Sequence, residues 1–325
     1  MLYNMKELLS VADENSFAVP AFNISSYAMF NGIMDISEKL NAPTIIEIHP
    51  NELKHIGTDV IAAFKSRAAE SKIPVCIHLD HGASFENAMV AIRAGFTSVM
   101  IDASAQPYEE NVAITKKVVE AAHAAISYTT VEDPADPRVA EDSKDRTEWH
   151  YAPAYFNGNV SVEGELGNIG VIDESAGMVT EGMHYTEPEE AVKYIEETGV
   201  DCLAIGIGTS HGLYPKGFVP HIQIERLKAI RQAIKDAGFN TYLVLHGGSG
   251  NPKEELTEAS QNGVTKINIS SDIKKAYYSK MKEVLQDDKL REPNAIEPVC
   301  IQAMQEVAAD RIRWFGAEGK ASLYR

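Results

Sequence analysis

Continuously apolar runs recur along this chain, and almost every one is followed by a helical stretch. The runs are Phe17–Ile24, Ala42–His49, Pro74–Asp80, Ser98–Asp102, Val160–Leu166, Cys202–Gly206, Thr241–Leu245 and Val264–Ile269. Helices are expected near Ser26–Leu40, Thr58–Ser71, Ser84–Ala94, Tyr108–Ala125, from Thr186 onward, and near Ile222–Ala237, with two more near Ser271–Gln286 and Asn294–Arg311. Strands that are apolar on both faces and alternate with helices belong to a parallel sheet covered on both sides. Eight of them point to an α/β chain folded as a (β/α)8 TIM barrel, with an inserted segment before strand five and extra C-terminal helices. The rival is a doubly wound open sheet, but no G-x-G-x-x-G follows strand one, which removes its usual dinucleotide-binding form.

A barrel of this kind takes roughly 250 residues or more as one unit. The 325 residues are therefore expected to form a single domain, 1–325, with an insertion at 127–158. The segment Ser127–Gly158 holds three prolines, many acids, and Trp149, Tyr151, Tyr155 and Phe156. It lies between a helix and the next strand, on the N-terminal face, where it serves as a solvated loop or as an arm for contact with a partner.

Charge excludes several kinds of function. The net charge of −17 argues against nucleic acid and against anionic membranes as partners. No apolar run approaches the roughly 20 residues of a membrane helix. The N-terminus lacks a basic region followed by an apolar one, so a cytoplasmic location is expected. Cys76, Cys202 and Cys300 are odd in number and far apart, and they read as buried thiols in a reducing compartment.

In barrels of this class the active site forms at the C-terminal ends of the strands. Those ends carry Asn23, His49, Asp80 with His81, Asp102, Glu165, His211 just past strand six, His246 and Asn268. Polar groups buried without a partner cost about 1–3 kcal/mol each, so core filling does not explain the concentration. His81, His211 and His246 close strands three, six and seven, and three imidazoles converging on one rim suit a catalytic zinc with an open position. Asp80 beside them suits proton transfer, and Asp102 and Glu165 are alternative or second-site ligands. The stretches Gly206–Gly212, His246–Gly250 (with Gly247, Gly248 and Ser249) and Asn268–Ser271 (with Ser270) can turn backbone N–H groups toward an anion. Lys216 offers a cation in the loop after strand six, or is simply solvated.

At these residues the chain resembles the class II, metal-dependent ketose-bisphosphate aldolases that act on fructose or tagatose bisphosphate. The carriers are Pro20-Ala21-Phe22-Asn23, His78-Leu79-Asp80-His81-Gly82, Val162-Glu163-Gly164-Glu165-Leu166-Gly167, Gly208-Thr209-Ser210-His211-Gly212, Leu245-His246-Gly247-Gly248-Ser249 and Lys266-Ile267-Asn268. The resemblance covers nearly the whole chain outside the insertion. It implies Zn2+ on His81, His211 and His246, a second metal position marked by Asp102 and Glu165, and proton exchange between Asp80 and the C4 oxygen. It further implies phosphate contacts at Gly212, Gly247, Ser249, Asn268 and Ser271, and a monovalent cation, Na+ or K+, near the Gly212 carbonyl. A mobile loop should carry the base that protonates the carbanion, Glu174 first and Asp173 second.

The substrate implied is a phosphorylated ketose, fructose 1,6-bisphosphate foremost, cleaved reversibly to dihydroxyacetone phosphate and an aldehyde such as glyceraldehyde 3-phosphate, a step of glycolysis. Homodimers or homotetramers are expected. Two departures bear on substrate choice. Strand two ends in Glu47-Ile48-His49-Pro50, where many relatives carry a small hydroxyl residue. Ser270 stands where fructose-type members often carry Asp and tagatose-type members Ala. The alternatives are a tagatose-bisphosphate or other ketose-phosphate aldolase, a metal-dependent hydrolase, or a catalytically silent subunit. The hydrolase usually carries H-x-H on strand one, and Phe22-Asn23-Ile24 stands here instead.

Overall fold

A computed structural model describes residues 1–125, 159–167, 170–173, 178–179, 184–215 and 217–324. The insertion expected at Ser127–Gly158, the proposed base Glu174, and Lys216 lie outside the described residues.

Eight parallel strands close into a barrel: β1 (Val19–Asn23), β2 (Thr44–Ile48), β3 (Val75–Gly82), β4 (Ser98–Ile101), β5 (Ser161–Leu166), β8 (Cys202–Ile205), β10 (Tyr242–Leu245) and β11 (Val264–Ile269). The order around it is β1-β11-β10-β8-β5-β4-β3-β2, the succession in which the chain produces them. Every residue of β1, β2, β4, β5, β8 and β11 is buried, as a sheet lined by side chains within and helices without requires. A few buried polar side chains inside the ring matter for the site.

The surrounding helices are α2 (Tyr27–Lys39), α3 (Pro50–Ile56), α4 (Val60–Glu70), α5 (Phe85–Ala94), α6 (Tyr108–Ala124), α7 (Pro188–Thr198), α8 (Ile224–Asp236) and α9 (Lys253–Gln261). Their starts follow local chemistry. The hydroxyls of Ser26 and Ser84 accept from the backbone N–H groups of Met29 and Asn87, which stabilises the first turns of α2 and α5. The expected cap at Thr186 differs. Its hydroxyl donates to the Leu166 carbonyl at 2.6 Å and accepts from the Gly206 N–H at 2.8 Å, tying two strand ends together, and Glu187 takes the cap position of α7.

Three helices escape the strand–helix reading. α1 (Met5–Glu14), capped by the Asn4 side chain, buries Met5, Leu8, Leu9 and Ala12 against β3, β5, β10 and β11 and plugs the N-terminal mouth of the barrel. α3 begins directly after β2, with Pro50 in its first turn. α9 completes the β10–β11 crossover with only Leu256, Ala259 and Ser260 buried, a narrow apolar stripe in a polar sequence. At the other end, α10 (Ser271–Val284) and α11 (Pro293–Trp314) pack on each other, and α11 continues against α2. Cys76, Cys202 and Cys300 are free and buried.

The glycine-bearing loop after β5 is not structureless. β6 (Gly170–Asp173) pairs antiparallel with β7 (Met178–Val179) and parallel with β9 (Ser210–His211), so Val171 lies in register with His211. No helix among the described residues is long and apolar enough to cross a membrane.

Candidate active site

The strand ends bring Asn23, His49, Asp80, His81, Asp102, Glu165, His211, His246 and Asn268 to one rim of the barrel. Asp80 and His81 are adjacent, and in a regular strand adjacent side chains point to opposite faces. The structure resolves this with a register irregularity. Leu79 pairs with Val99 but Gly82 with Ile101, and His81 adopts a left-handed φ of 48°. That conformation costs a non-glycine residue roughly 1–2 kcal/mol, and it turns the His81 ring back over the site beside Asp80.

His81, His211 and His246 each offer a ring nitrogen within 4.8 Å of the other two. Their ring centroids are 4.7 Å (His81–His246), 4.9 Å (His81–His211) and 5.7 Å (His211–His246) apart. Nδ1 of His81 donates to Asp102 at 2.7 Å, and Nε2 of His246 donates to Glu163 at 2.7 Å. Nε2 of His211 and Nδ1 of His246 are buried and make no hydrogen bond. Oε2 of Glu165 lies 3.2 Å from that Nδ1 and 4.0 Å from Nδ1 of His81, and it too makes no hydrogen bond. His81, Asp102 and Glu165 form a second group of potential ligands within 4.8 Å.

Electrostatics divides the three imidazoles. Burial and the neighbouring rings of His81 and His246 push His211 down to about 3, which keeps it neutral. Burial also opposes charge on His246, but the carboxylates of Glu163 and Glu165 outweigh it and raise that pKa to about 10. His81 is raised to about 9 against burial, by Asp80 and by the hydrogen bond to Asp102.

Asp80 is buried and held at both oxygens. Oδ2 accepts from the Asn23 amide at 2.7 Å and Oδ1 from the Asn268 amide at 3.2 Å. Burial alone would raise its pKa, but His81, His246 and Lys266 hold the carboxyl well below the usual carboxylate range. Of the expected phosphate contacts, Gly247 has the clearest local reason for its identity. Its φ is 62°, and a Cβ there would stand 2.5 Å from the Ser210 carbonyl oxygen, so only glycine fits. Gly248 follows and donates its N–H to the Asn268 carbonyl. Gly212 has a φ of 105°, just past His211. Ser249 is buried, and its hydroxyl accepts from the Asp272 N–H in the first turn of α10, where Ser271 is the first residue and Ser270 precedes it. The three glycine- and hydroxyl-bearing loops thus stand next to one another, as their strands do.

The fold and the rim agree with comparisons against known proteins. The family model of class-II fructose-bisphosphate aldolase matches residues 3–132 and 150–320, so the unmatched stretch falls inside the insertion. Fructose-bisphosphate aldolases of Staphylococcus epidermidis and Geobacillus stearothermophilus are 35% and 34% identical, over 98% and 99% of this chain and 99% of each relative. The chain belongs to the class II fructose-bisphosphate aldolase family. It is thereby an aldolase, a carbon–carbon lyase. Among solved structures, the YdjI aldolase of Escherichia coli K12 is 28% identical with a TM-score of 0.76, over 99% of this chain and 100% of that one. The Campylobacter jejuni fructose-bisphosphate aldolase, 22% identical over 98% of this chain and 97% of that one, shares the fold with a TM-score of 0.72.

Beneath the aldolase rim lies a layer that reading strand ends does not reveal. Glu47, His78, Glu163 and Lys266 are completely buried. Nζ of Lys266 lies 2.7 Å from Oε1 of Glu47 and 2.8 Å from Oε2 of Glu163. Nδ1 of His78 bonds the Ser98 hydroxyl at 2.9 Å, and its Nε2 is 3.5 Å from Glu163. Burial and the Lys266 charge lower His78 to about 3, and burial raises Glu47 to about 7. Glu163 is held well below the carboxylate range, because Lys266 and His246 outweigh its burial. A signal for these residues was present in the sequence. Each stands two positions before a rim residue on its own strand, as Glu47 does before His49, His78 before Asp80, Glu163 before Glu165 and Lys266 before Asn268, and a strand repeats its facing every two residues.

Proposed function

We propose that this protein is a zinc-dependent aldolase that reversibly cleaves fructose 1,6-bisphosphate to dihydroxyacetone phosphate and glyceraldehyde 3-phosphate. The observation that carries this reading is the convergence of three imidazoles beside a doubly held aspartate. A zinc site fits them, because Nε2 of His211 is buried with no hydrogen bond, which costs about 1–3 kcal/mol, and Nδ1 of His246 is buried facing only Oε2 of Glu165 at 3.2 Å, also without a hydrogen bond. His81, His211 and His246 would hold the ion. Zinc bound there supplies electrophilic stabilisation of the negative charge that cleaving C3–C4 leaves next to the ketone, so no Schiff-base lysine is required.

The chain's own residues do the rest. Asp80, held ionised and aimed by Asn23 and Asn268, takes the proton of the C4 hydroxyl during cleavage and returns it during condensation. Glu174, with Asp173 second, exchanges the proton at C3. The pairing of Gly170–Asp173 alongside His211 supports this, since it holds that loop against the rim. Asp102 and Glu165 mark a second metal position shared with His81. Gly212, Gly247, Ser249, Asn268 and Ser271 receive a phosphate of the substrate, with Na+ or K+ beside the Gly212 carbonyl, and Asn23, Lys216, Gly248 and Ser270 complete the substrate-binding set. The same reading takes residues 1–325 as one barrel domain with 127–158 an insertion on its N-terminal face. It places the enzyme in the cytoplasm, in glycolysis, as a homodimer or homotetramer.

A second reading keeps the chemistry and changes the sugar to tagatose 1,6-bisphosphate or another phosphorylated ketose. It is favoured by His49, which is half-buried with its ring centroid 6.5 Å from that of His81 and holds Nδ1 toward the Asn51 N–H at 3.1 Å. Its Nε2 is thereby left to face a substrate. The test is cleavage of fructose and tagatose 1,6-bisphosphates side by side, before and after chelation and zinc readdition. Loss with chelator and recovery with zinc on the fructose substrate is the expected result. Recovery on tagatose 1,6-bisphosphate alone selects the second reading, and turnover that survives complete metal removal overturns both.

A further inference from the structure

Glu47, Lys266 and Glu163 form an unbroken buried line of alternating charge that ends on His246. The successive gaps are 2.7 Å, 2.8 Å and 2.7 Å, and all four side chains are completely buried. The last two links join residues 103 and 83 positions apart in the chain, so the line spans the barrel interior rather than one strand.

A buried ion pair is a poor stabiliser, because removing its charges from water costs as much as their attraction returns, and an apolar filling of equal volume is often more stable. Core stability therefore does not account for the line. Its geometry does something specific at its end. Glu163 has one oxygen engaged by Lys266 and the other aimed at Nε2 of His246. A carboxylate fixed this way accepts only from a protonated Nε2, so the proton given up when a metal binds is the one on Nδ1, the nitrogen that faces the rim with Oε2 of Glu165 3.2 Å away. Carboxylates that bond the far nitrogen of a ligating imidazole set its tautomer and orientation and raise its basicity.

We propose that Lys266, acting through Glu163, sets the tautomer and orientation in which His246 meets zinc, which makes Lys266 and Glu163 positioning residues of the metal centre and Glu47 the anchor of Lys266. This rests on the zinc reading of the three histidines. Lys266 stands away from the ligands themselves, its ammonium paired with Glu47 and Glu163. Its influence passes along the line, and removing it leaves Glu163 free to turn from Nε2.

The test uses the full chain and compares wild type with Lys266→Met, Glu163→Leu and Glu163→Gln. Zinc dissociation constants come from competition with a chelator, and the cobalt-substituted protein gives a visible spectrum that reports coordination geometry. Lys266→Met and Glu163→Leu are expected to weaken zinc by about 10–100-fold and to shift the cobalt bands. Glu163→Gln keeps an acceptor for Nε2–H and should fall between them and wild type. The triple variant Glu47→Gln/Glu163→Gln/Lys266→Met removes the three charges of the line together, so none of them is left unpaired, and serves where a single variant fails to fold. Nitrogen NMR of the zinc-loaded wild type reads the His246 tautomer with no substitution at all. Folded variants with zinc affinity within about twofold of wild type and unchanged cobalt bands, or a proton found on Nδ1 of His246, overturn the inference while leaving the zinc site standing. A wild-type chain that takes up no zinc overturns the zinc reading itself, and the inference with it.

Discussion

At the N-terminal end of the barrel, the buried carboxylate of Asp201 accepts from Nε2 of His123 at 2.8 Å, from Nζ of Lys6 at 2.9 Å and from the Val162 N–H at 2.9 Å. At the C-terminal end, Asp102 meets His81 at 2.7 Å and Glu163 meets His246 at 2.7 Å. Locally these are the same device, an imidazole pressed on a carboxylate. The surroundings differ. No side-chain atom of the Asp201 cluster is buried without a hydrogen bond, whereas at the rim His211 Nε2 and Asn268 Oδ1 are, and His246 Nδ1 and Glu165 Oε2 face each other at 3.2 Å without forming one. A closed set of hydrogen bonds holds the fold together. A set left open inside a folded protein carries a standing cost that is relieved when a ligand arrives.

That contrast can be broken most sharply at Asp80. Asp80→Ala should lower turnover by about 10²–10⁴-fold while zinc content, measured by elemental analysis, stays at the wild-type level. Cleavage at the wild-type rate would show that the doubly held carboxylate is no more functional than Asp201. His211→Ala comes next. Removing a ligand should weaken zinc by at least the roughly 100-fold reached by changes one shell further out, and chelator competition reads it. An unchanged dissociation constant would place the metal elsewhere on the rim.

Asp201→Asn probes the closed end. It should cost about 1–3 kcal/mol in urea unfolding and leave zinc affinity untouched. The pH dependence has a definite sign. Burial alone would raise the pKa of Asp201, but His123, the Val162 N–H and Lys6 outweigh it and lower it in the fold. Its contribution is therefore fully present above the unfolded value of about 3.9 and lost as pH falls through the folded value. Wild type should lose that increment on acidification while Asp201→Asn does not, and parallel curves would remove the carboxylate from the account. The smallest effect is expected at His49, next to the open set but outside it. His49→Ser should leave zinc affinity within about twofold and change the ratio of turnover on fructose and tagatose bisphosphates, and an unaltered ratio would acquit His49 of any part in substrate choice.

The alternation of apolar runs and helices is a local property, so the eight barrel strands were legible, each run being long enough to bury both faces, while the short strands β6, β7 and β9 outside the barrel were not. Helices with a short apolar stripe, such as α9, were not, because their pattern hardly differs from that of a loop. The rim was legible for the same reason. Asp80, His81, His246 and Asn268 sit where their strands stop, with His211 in β9 a few residues past the end of β8, and the closing of a parallel barrel gathers strand ends.

Only the tertiary structure decided what each rim residue faces. Nothing near His81 in sequence announces the left-handed turn that points it beside Asp80, since the turn follows from an irregular register with β4. The nitrogen that His246 presents depends on Glu163, and the aim of Glu163 depends on Lys266, 103 positions further along the chain. The sequence by itself determined the barrel, the rim and the set of groups on it, because those follow from short-range periodicity. Tautomer, charge state and orientation followed only from closure of the barrel, because electrostatic coupling in a dry interior is set by distances between side chains on different strands.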